Sequence, residues 1–192
     1  MNEKSGREST ALDYVIIIAC GVVFGLVFGV IRNGMQFLRL AGHHSIFFAL
    51  CIGGSILYAA FRHKGTKTLI FMVFIVTLVH LLIFKVTDAV LFLAFFLYYV
   101  SLGATVYLYR TQIVPRLGWA RIGKFIAFAA ILVVIYSVVQ LVVNPFFKEI
   151  STAQALYGVL TTQSFLGAGL GFGFEVAELL LVGRAVGSAE RK

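Results

Sequence analysis

The sequence predicts an all-α membrane protein, a bundle of six transmembrane helices with the N- and C-termini in the cytoplasm. The chain has 192 residues, of which 60% are hydrophobic and only 12% charged. Soluble domains average about 45–50% apolar and about 25% charged residues, so this composition excludes an ordinary soluble domain. It also excludes a disordered chain, which would be poor in aliphatic and aromatic residues. Six long apolar runs and a one-sided distribution of basic residues complete the prediction.

Each predicted span is an apolar run long enough to cross a hydrocarbon core of about 30 Å, which takes about 20 residues. The six spans are 14–31, 45–61, 69–84, 88–109, 125–143 and 155–182. The third is short and the last is long, so we expect a perpendicular span and a tilted one. Runs such as 91–97 do not alternate between apolar and polar residues as β-barrel strands do.

The first span is predicted to stay in the protein as a helix. Its apolar run exceeds the roughly 7–15 residues of a signal peptide, and no small-x-small cleavage site precedes Arg32. The connecting loops are too short to hold a soluble domain. We therefore expect one membrane domain over 14–183, between a polar tail of residues 1–13 and a second tail of residues 184–192.

The net charge of +8 indicates orientation in the membrane. With the N-terminus inside, one side of the membrane holds twelve of the sixteen basic residues: Lys4, Arg7, Arg62, Lys64, Lys67, Arg110, Arg116, Arg121, Lys124, Arg184, Arg191 and Lys192. The other side holds four, Arg32, Arg39, Lys85 and Lys148. Because cytoplasmic loops are enriched in Lys and Arg, this asymmetry predicts cytoplasmic termini. The basic balance therefore does not indicate a nucleic-acid partner, and the expected location is the plasma (inner) membrane.

The sixth span carries the most informative polar residues, Glu175 and Glu178. At about 1.5 Å per residue, Glu175 lies roughly 13 Å from Arg184, which places it near the middle of the bilayer. A carboxylate there is expected to cost on the order of 2.5–3.5 kcal/mol to insert, and such residues typically belong to ion or proton pathways. Neighbouring carboxylates also oppose each other's ionisation, so one of them is a candidate proton carrier. The alternative is a helix-end pair neutralised by Arg184 or by basic residues of a neighbouring loop.

Other polar residues fall in the outer half of the predicted bundle or near its middle, where they are candidates for lining an outward-opening cavity. They are His80, Tyr98, Gln140, Gln163 and Ser164. The alternative is that hydroxyl and amide groups satisfy one another across helices, at about 0.6 kcal/mol each.

Two spans carry glycines at four-residue spacing, a pattern that lets helices approach closely. The first span has Gly21, Gly25 and Gly29, and the sixth has two such pairs, Gly167/Gly171 and Gly169/Gly173. We expect these faces to pack against each other or against another subunit, in a homo-oligomer or a membrane complex.

The segment between the fourth and fifth spans is predicted to be a basic loop at the membrane surface. It contains Arg110, Arg116, Arg121 and Lys124, and it either lies along anionic headgroups or serves only to set topology. Cys20 and Cys51 fall inside apolar runs, where cysteine behaves as a small hydrophobe. We expect no metal site and no cofactor, and the sequence has no HExxH, GxSxG, phosphate-loop or Cys-x-x-Cys motif.

Three functions fit these observations. The first is a small solute or ion carrier, or the membrane-embedded substrate-binding part of one, centred on Glu175. In size and helix count the chain is similar to the substrate-binding components of energy-coupling-factor vitamin transporters, a likeness of topology rather than of motifs. The second is a non-catalytic subunit or assembly partner that packs through its glycine faces. The third is a lipid-modifying membrane enzyme that uses the carboxylates as acid and base.

Overall fold

A computed structural model describes residues 11–34, 43–86, 89–117, 120–143 and 151–189, and these are all-helical apart from short connections. The helices are α1 (Ala11–Asn33), α2 (His43–Lys64), α3 (Thr66–Ile83), α4 (Ala89–Leu108), a π-helical turn (Tyr109–Ile113), α5 (Val114–Leu117), α6 (Arg121–Val143) and α7 (Thr152–Ala189). Six helical stretches are long and apolar enough to cross a membrane, α4 to α5 forming one of them. The prediction of an all-helical chain with six helices long and apolar enough to span a membrane is thus confirmed over the described residues, and the cytoplasmic location of both termini stays a prediction.

The helices extend beyond the apolar runs because polar residues continue the helical turns. The α1 helix begins at Ala11, inside the stretch predicted to be a polar tail, and α2 continues to Lys64. Gly65 then separates α2 from α3 with a backbone φ of 78°, a left-handed conformation that glycine adopts at little cost.

The largest departure from the sequence prediction lies after the fourth span. Residues 110–117, expected to start a loop, continue the helix through the π-helical turn and α5. Pro115 lacks an N–H, and in an α-helix its ring would clash with the carbonyl of Thr111. The wide π turn directly before Pro115 relieves this conflict, with the Val114 N–H bonded to the carbonyl of Tyr109.

The surface of the bundle exposes many large apolar side chains, as a protein in lipid requires. Ile31 is 63% exposed, Leu82 78% and Ile122 71%. Soluble monomers rarely expose contiguous apolar surface on this scale. Four tyrosines turn inward instead, since Tyr58, Tyr99, Tyr109 and Tyr136 are fully buried, whereas Tyr107 and Tyr157 are exposed.

Glycines place α7 between α1 and α6. A methyl group added at Gly173 would lie 2.7 Å from the carbonyl oxygen of Cys20, and one at Gly169 would lie 2.9 Å from the Cα of Gly25. On the other side, a methyl group at Gly167 would lie 2.7 Å from the Cα of Ala129. These are backbone-to-backbone contacts that no larger residue fits without displacing a helix.

The glycines of α1 pack within this chain. Gly21, Gly25 and Gly29 are all buried. Gly21 faces Ser55 of α2 and Phe174 of α7, and Gly25 faces Cys51 of α2. The first of the two expected partners, the sixth span, is therefore present in the fold itself.

Candidate functional site

The charged side chains of the bundle interior gather at one end, which we call the basic end. There α1 begins, α2 ends, α6 begins and α7 passes its last apolar turn. The ion-paired residues at this end, which we call the charged cluster, are Asp13, Arg62, Arg110, Lys124, Glu175, Glu178 and Arg184. Four cations and three anions join five of the six spanning helices. Every acidic residue in the described part of the chain belongs to this cluster.

Glu175 is the most deeply placed acid of the charged cluster, with 8% of its surface exposed. Its carboxylate accepts a hydrogen bond from the hydroxyl of Tyr109, a fully buried residue of the π-helical turn. The second carboxylate oxygen lies 4.0 Å from the Nζ of Lys124. Glu175 thus links α7 to the fourth and fifth spans through one neutral and one cationic partner.

Glu178, one turn further along α7, has a different set of partners. Arg62 donates from Nε at 2.7 Å and from Nη2 at 3.1 Å, and Arg110 donates from Nη1 at 3.2 Å. Tyr58 adds a hydrogen bond of 2.9 Å, and the Arg110 guanidinium carbon lies 5.5 Å from the centre of the Tyr58 ring. These charge-assisted hydrogen bonds join α2 and the π-helical turn to α7, and we call Tyr58, Arg62, Arg110 and Glu178 the clasp. This is the neutralised arrangement that the sequence offered as the alternative for Glu178.

Arg184 neutralises neither glutamate. Its Nη1 donates to the carboxylate of Asp13 at 2.9 Å, which connects α7 to the first turn of α1. The hydropathy pattern predicts Asp13 to lie in the N-terminal tail, and no sequence motif marks it as part of a site. The contact spans 171 positions of the chain, so no local pattern announces it.

The helices that flank Glu175 begin at different levels. Gly171 packs on Phe125 and Gly167 on Ala129, so Glu175 falls level with Arg121, the first residue of α6. Against α1, Gly173 packs on Gly21, which puts Glu175 level with Ala19, eight residues inside α1 or about 12 Å. Glu175 is therefore enclosed by α1 but lies level with the end of α6. This places it at the basic end of the bundle, away from the middle that the count from Arg184 predicted, because α7 continues as a helix to Ala189.

The polar residues predicted for the outer half divide into separate neutral networks. The Tyr98 hydroxyl donates to Gln140 at 3.3 Å, and the Tyr136 hydroxyl donates to the carbonyl of Tyr98 at 3.2 Å. The Tyr98 and Tyr136 rings stack with centroids 5.2 Å apart. These contacts join α4 to α6, so the structure brings Tyr98 and Gln140 together.

His80 belongs to a second network, between α3, α4 and α2. Its Nδ1 lies 2.9 Å from both the Val76 carbonyl and the Tyr99 hydroxyl, while Tyr99 also reaches the carbonyl of Ala49 at 3.3 Å. The donor and acceptor roles depend on the imidazole tautomer. With the proton on Nδ1, the Val76 carbonyl and the Tyr99 hydroxyl share this one N–H, and Tyr99 donates to Ala49.

Gln163 and Ser164 of α7 make no cross-helix hydrogen bond within the part of the chain that the structure describes. The Gln163 carbonyl oxygen is buried and unpartnered there, and the residue is 8% exposed. The Ser164 hydroxyl donates to the carbonyl of Leu160 on its own helix. By the register above, Gln163 lies level with Val133 of α6, one turn from Tyr136.

The four residues of the predicted basic loop have different roles. Arg110 and Lys124 enter the charged cluster. Arg116 is exposed and contacts Gln112 at 3.2 Å, and Arg121 is half-buried at the start of α6. The loop prediction missed the inward-facing pair because the helical continuation and the rotation of each helix are not visible in hydropathy. Tyr58, Tyr109 and Arg62 were missed for the same reason.

The described residues contain no group of three His, Cys, Asp or Glu side chains able to hold a metal ion. Both cysteines are free thiols. No protein-family model, curated protein or solved structure matches this chain.

Proposed function

We propose that this protein is a small carrier of the plasma (inner) membrane, with the basic end in the cytoplasm and Glu175 as its proton- or cation-coupling group. The observation that carries the proposal is the buried Glu175 carboxylate, held between the Tyr109 hydroxyl and the Lys124 ammonium. An ionisable residue inside a membrane bundle is costly, and a common use of such residues is ion or proton movement.

The charged cluster supplies a way to open and close one end of the bundle. Its contacts between helices are ion pairs and hydrogen bonds, which water can replace when helices separate. If Glu175 takes up a proton, its attraction to Lys124 is lost. The contact between α7 and the first turn of α6 is then weaker. Proton uptake and opening at the basic end are then coupled by the same side chain.

Intrachain packing weakens the case for the accessory-subunit alternative. That alternative depended on glycine faces in need of a partner, and Gly21, Gly25, Gly167 and Gly171 have partners in α1, α2, α6 and α7. The enzyme alternative has no further supporting observation, because the cluster carboxylates are bonded to Arg, Lys and Tyr side chains.

The test is proton flux in liposomes. The purified protein is reconstituted with the pH-sensitive dye pyranine inside, and panels of amino acids, sugars, organic acids and vitamins are added outside. We expect at least one solute class to acidify the interior in the wild type, and Glu175→Gln to reduce this flux to the level of empty liposomes. Arg116→Gln, which changes an exposed charge at the same end, should transport as the wild type does.

Two results would count against the carrier. One is proton flux in Glu175→Gln equal to that of the wild type with the active solute. The other is a wild-type protein that behaves as empty liposomes do across the whole panel.

A further inference from the structure

A groove of about 210 Å³ lies between α1, α2 and α3 on the outer surface of the bundle. Its walls are apolar, with Ile18 from α1, Ile56 and Ala60 from α2, and Met72 from α3. The two small residues Ala59 and Ala60 leave the space, because they keep α2 thin where α1 and α3 flank it. From residue 56 to residue 64 of α2 the groove follows about 12 Å of helix.

The end of this groove at the basic end is polar. Tyr14, Lys64 and Thr68 line it there, one from each of the three helices. Lys64 is exposed at the last residue of α2, and Lys67 is exposed one turn away at the start of α3. The groove therefore joins an apolar channel to a cationic mouth.

The charge of this mouth is not neutralised by the charged cluster. Asp13, Glu175 and Glu178, the acids of the described part of the chain, form their ion pairs with other basic residues: Arg62, Arg110, Lys124 and Arg184. Lys64 and Lys67 form no ion pair with any residue of that part. A ligand for this groove must combine negative charge at the mouth with an apolar chain along the walls.

We propose that the groove binds an anionic phospholipid, with one acyl chain between Ile18, Ala60 and Met72 and the phosphate against Lys64. Basic pockets between transmembrane helices are typical sites for anionic headgroups. The inference does not depend on transport, since it uses neither Glu175 nor the charged cluster.

A second groove provides an internal comparison. It measures about 360 Å³ between α3 and α4, and both Val73 and Gly103 line it. Its lining includes no charged side chain. Acyl chains are expected to enter this second groove whatever headgroup they carry, whereas the groove at Lys64 should select anionic lipids.

The experiment is native mass spectrometry of the full chain in detergent, titrated with phosphatidylglycerol or with phosphatidylcholine of the same acyl chains. We expect preferential binding of phosphatidylglycerol. Removal of one interfacial lysine by Lys64→Gln should weaken that preference about fivefold. Lys64→Arg should retain it, and Arg116→Gln should leave it unchanged, although it removes the same charge at the same end of the bundle.

Further arms separate the groove from general surface charge. Met72→Phe, which fills the groove, should lower phosphatidylglycerol binding while leaving Lys64 in place. Glycerophosphoglycerol, the headgroup without acyl chains, should not compete. Equal binding of the two lipids, equal losses in Lys64→Gln and Arg116→Gln, or competition by the chain-free headgroup would each overturn the proposal.

Discussion

The two halves of α7 differ in how they contact the rest of the bundle. In residues 167–184, glycines touch the backbones of α1 and α6, and each charged residue bonds to an oppositely charged partner on another helix. In residues 152–166, Gly158 faces open space, Gln163 has an unpartnered buried oxygen, and Ser164 bonds to its own helix. The half at the basic end is thus joined to other helices by ion pairs, whereas Gln163 and Ser164 of the other half make no cross-helix hydrogen bond with the described residues.

This difference indicates which half of α7 contributes more to the stability of the bundle. Opening the half at the basic end requires separating the ion pairs of Asp13, Glu175 and Glu178. Around Gln163 and Ser164, the other half can take up water or a polar solute without breaking a cross-helix hydrogen bond of these two residues. We therefore expect the half at the basic end to dominate stability.

The largest expected effect on stability is that of replacing a glycine within residues 167–184 of α7 by a larger residue. Gly173→Leu forces a side chain against the carbonyl of Cys20 and the Cα of Gly21. Because those neighbours are backbone atoms, the cost should lie at or above the upper end of the roughly 1–3 kcal/mol typical of overpacking. The control is Gly158→Leu, because no atom lies within 4 Å of a methyl group added at Gly158. Loss of this helical glycine should stabilise the folded protein by roughly 0.5–1 kcal/mol. Thermal denaturation in detergent measures both, and similar melting temperatures would remove the distinction between the halves.

A smaller loss is expected from the clasp around Glu178. Glu178→Gln removes the charge that Arg62 and Arg110 bond, and hydrogen bonds to charged groups contribute about 1.5–3 kcal/mol. We expect a loss of about 2 kcal/mol, because the side chain is 23% exposed and water compensates in part. Equilibrium unfolding by denaturant measures it, with Arg116→Gln as the surface control. No loss relative to that control would show that the clasp does not stabilise the fold.

The neutral network between α4 and α6 should contribute less. Tyr98→Phe removes the hydrogen bond to Gln140 and keeps the stacking on Tyr136. Cross-helix hydrogen bonds in membrane proteins average about 0.6 kcal/mol. The same unfolding measurement should therefore show a shift of that size, and a loss equal to that of Glu178→Gln would mean that ionic and neutral contacts are equivalent here.

The smallest change in stability is expected at Gln163. Gln163→Leu replaces a buried carbonyl that has no partner in the described structure with an apolar group of similar size. Because an unsatisfied buried polar group is unfavourable, the free energy of unfolding should stay constant or rise slightly. A clear loss in the free energy of unfolding would indicate that Gln163 has a partner that stabilises residues 152–166 of α7.

The number and approximate position of the spanning helices could be predicted because each is an apolar run of suitable length. The ends could not, since polar residues such as Arg62 and Lys64 continue the last turns of α2. The π-helical turn was also beyond prediction. The basic residues between the fourth and fifth apolar runs suggested a loop, but a widened turn lets the helix continue through Pro115.

The site could be predicted only in part, because hydropathy gives the length of a helix and not its rotation. The two glutamates stood out as charges within an apolar span. Their partners did not, since Lys124 read as a loop residue and Tyr109 as the end of a span. Arg184 was a plausible partner for Glu178 by distance along the chain, yet it bonds to Asp13.

The most direct test of Glu175 as the coupling group compares Glu175→Gln with the double variant Glu175→Gln/Lys124→Gln. The single variant leaves a buried ammonium without its carboxylate, and the double variant removes both charges. If Glu175 is the coupling group, the double variant should recover stability toward the wild type while solute-driven proton flux in liposomes stays at the level of empty liposomes. Recovery of flux together with stability would contradict the account, because Glu175 would then serve only to hold the helices together.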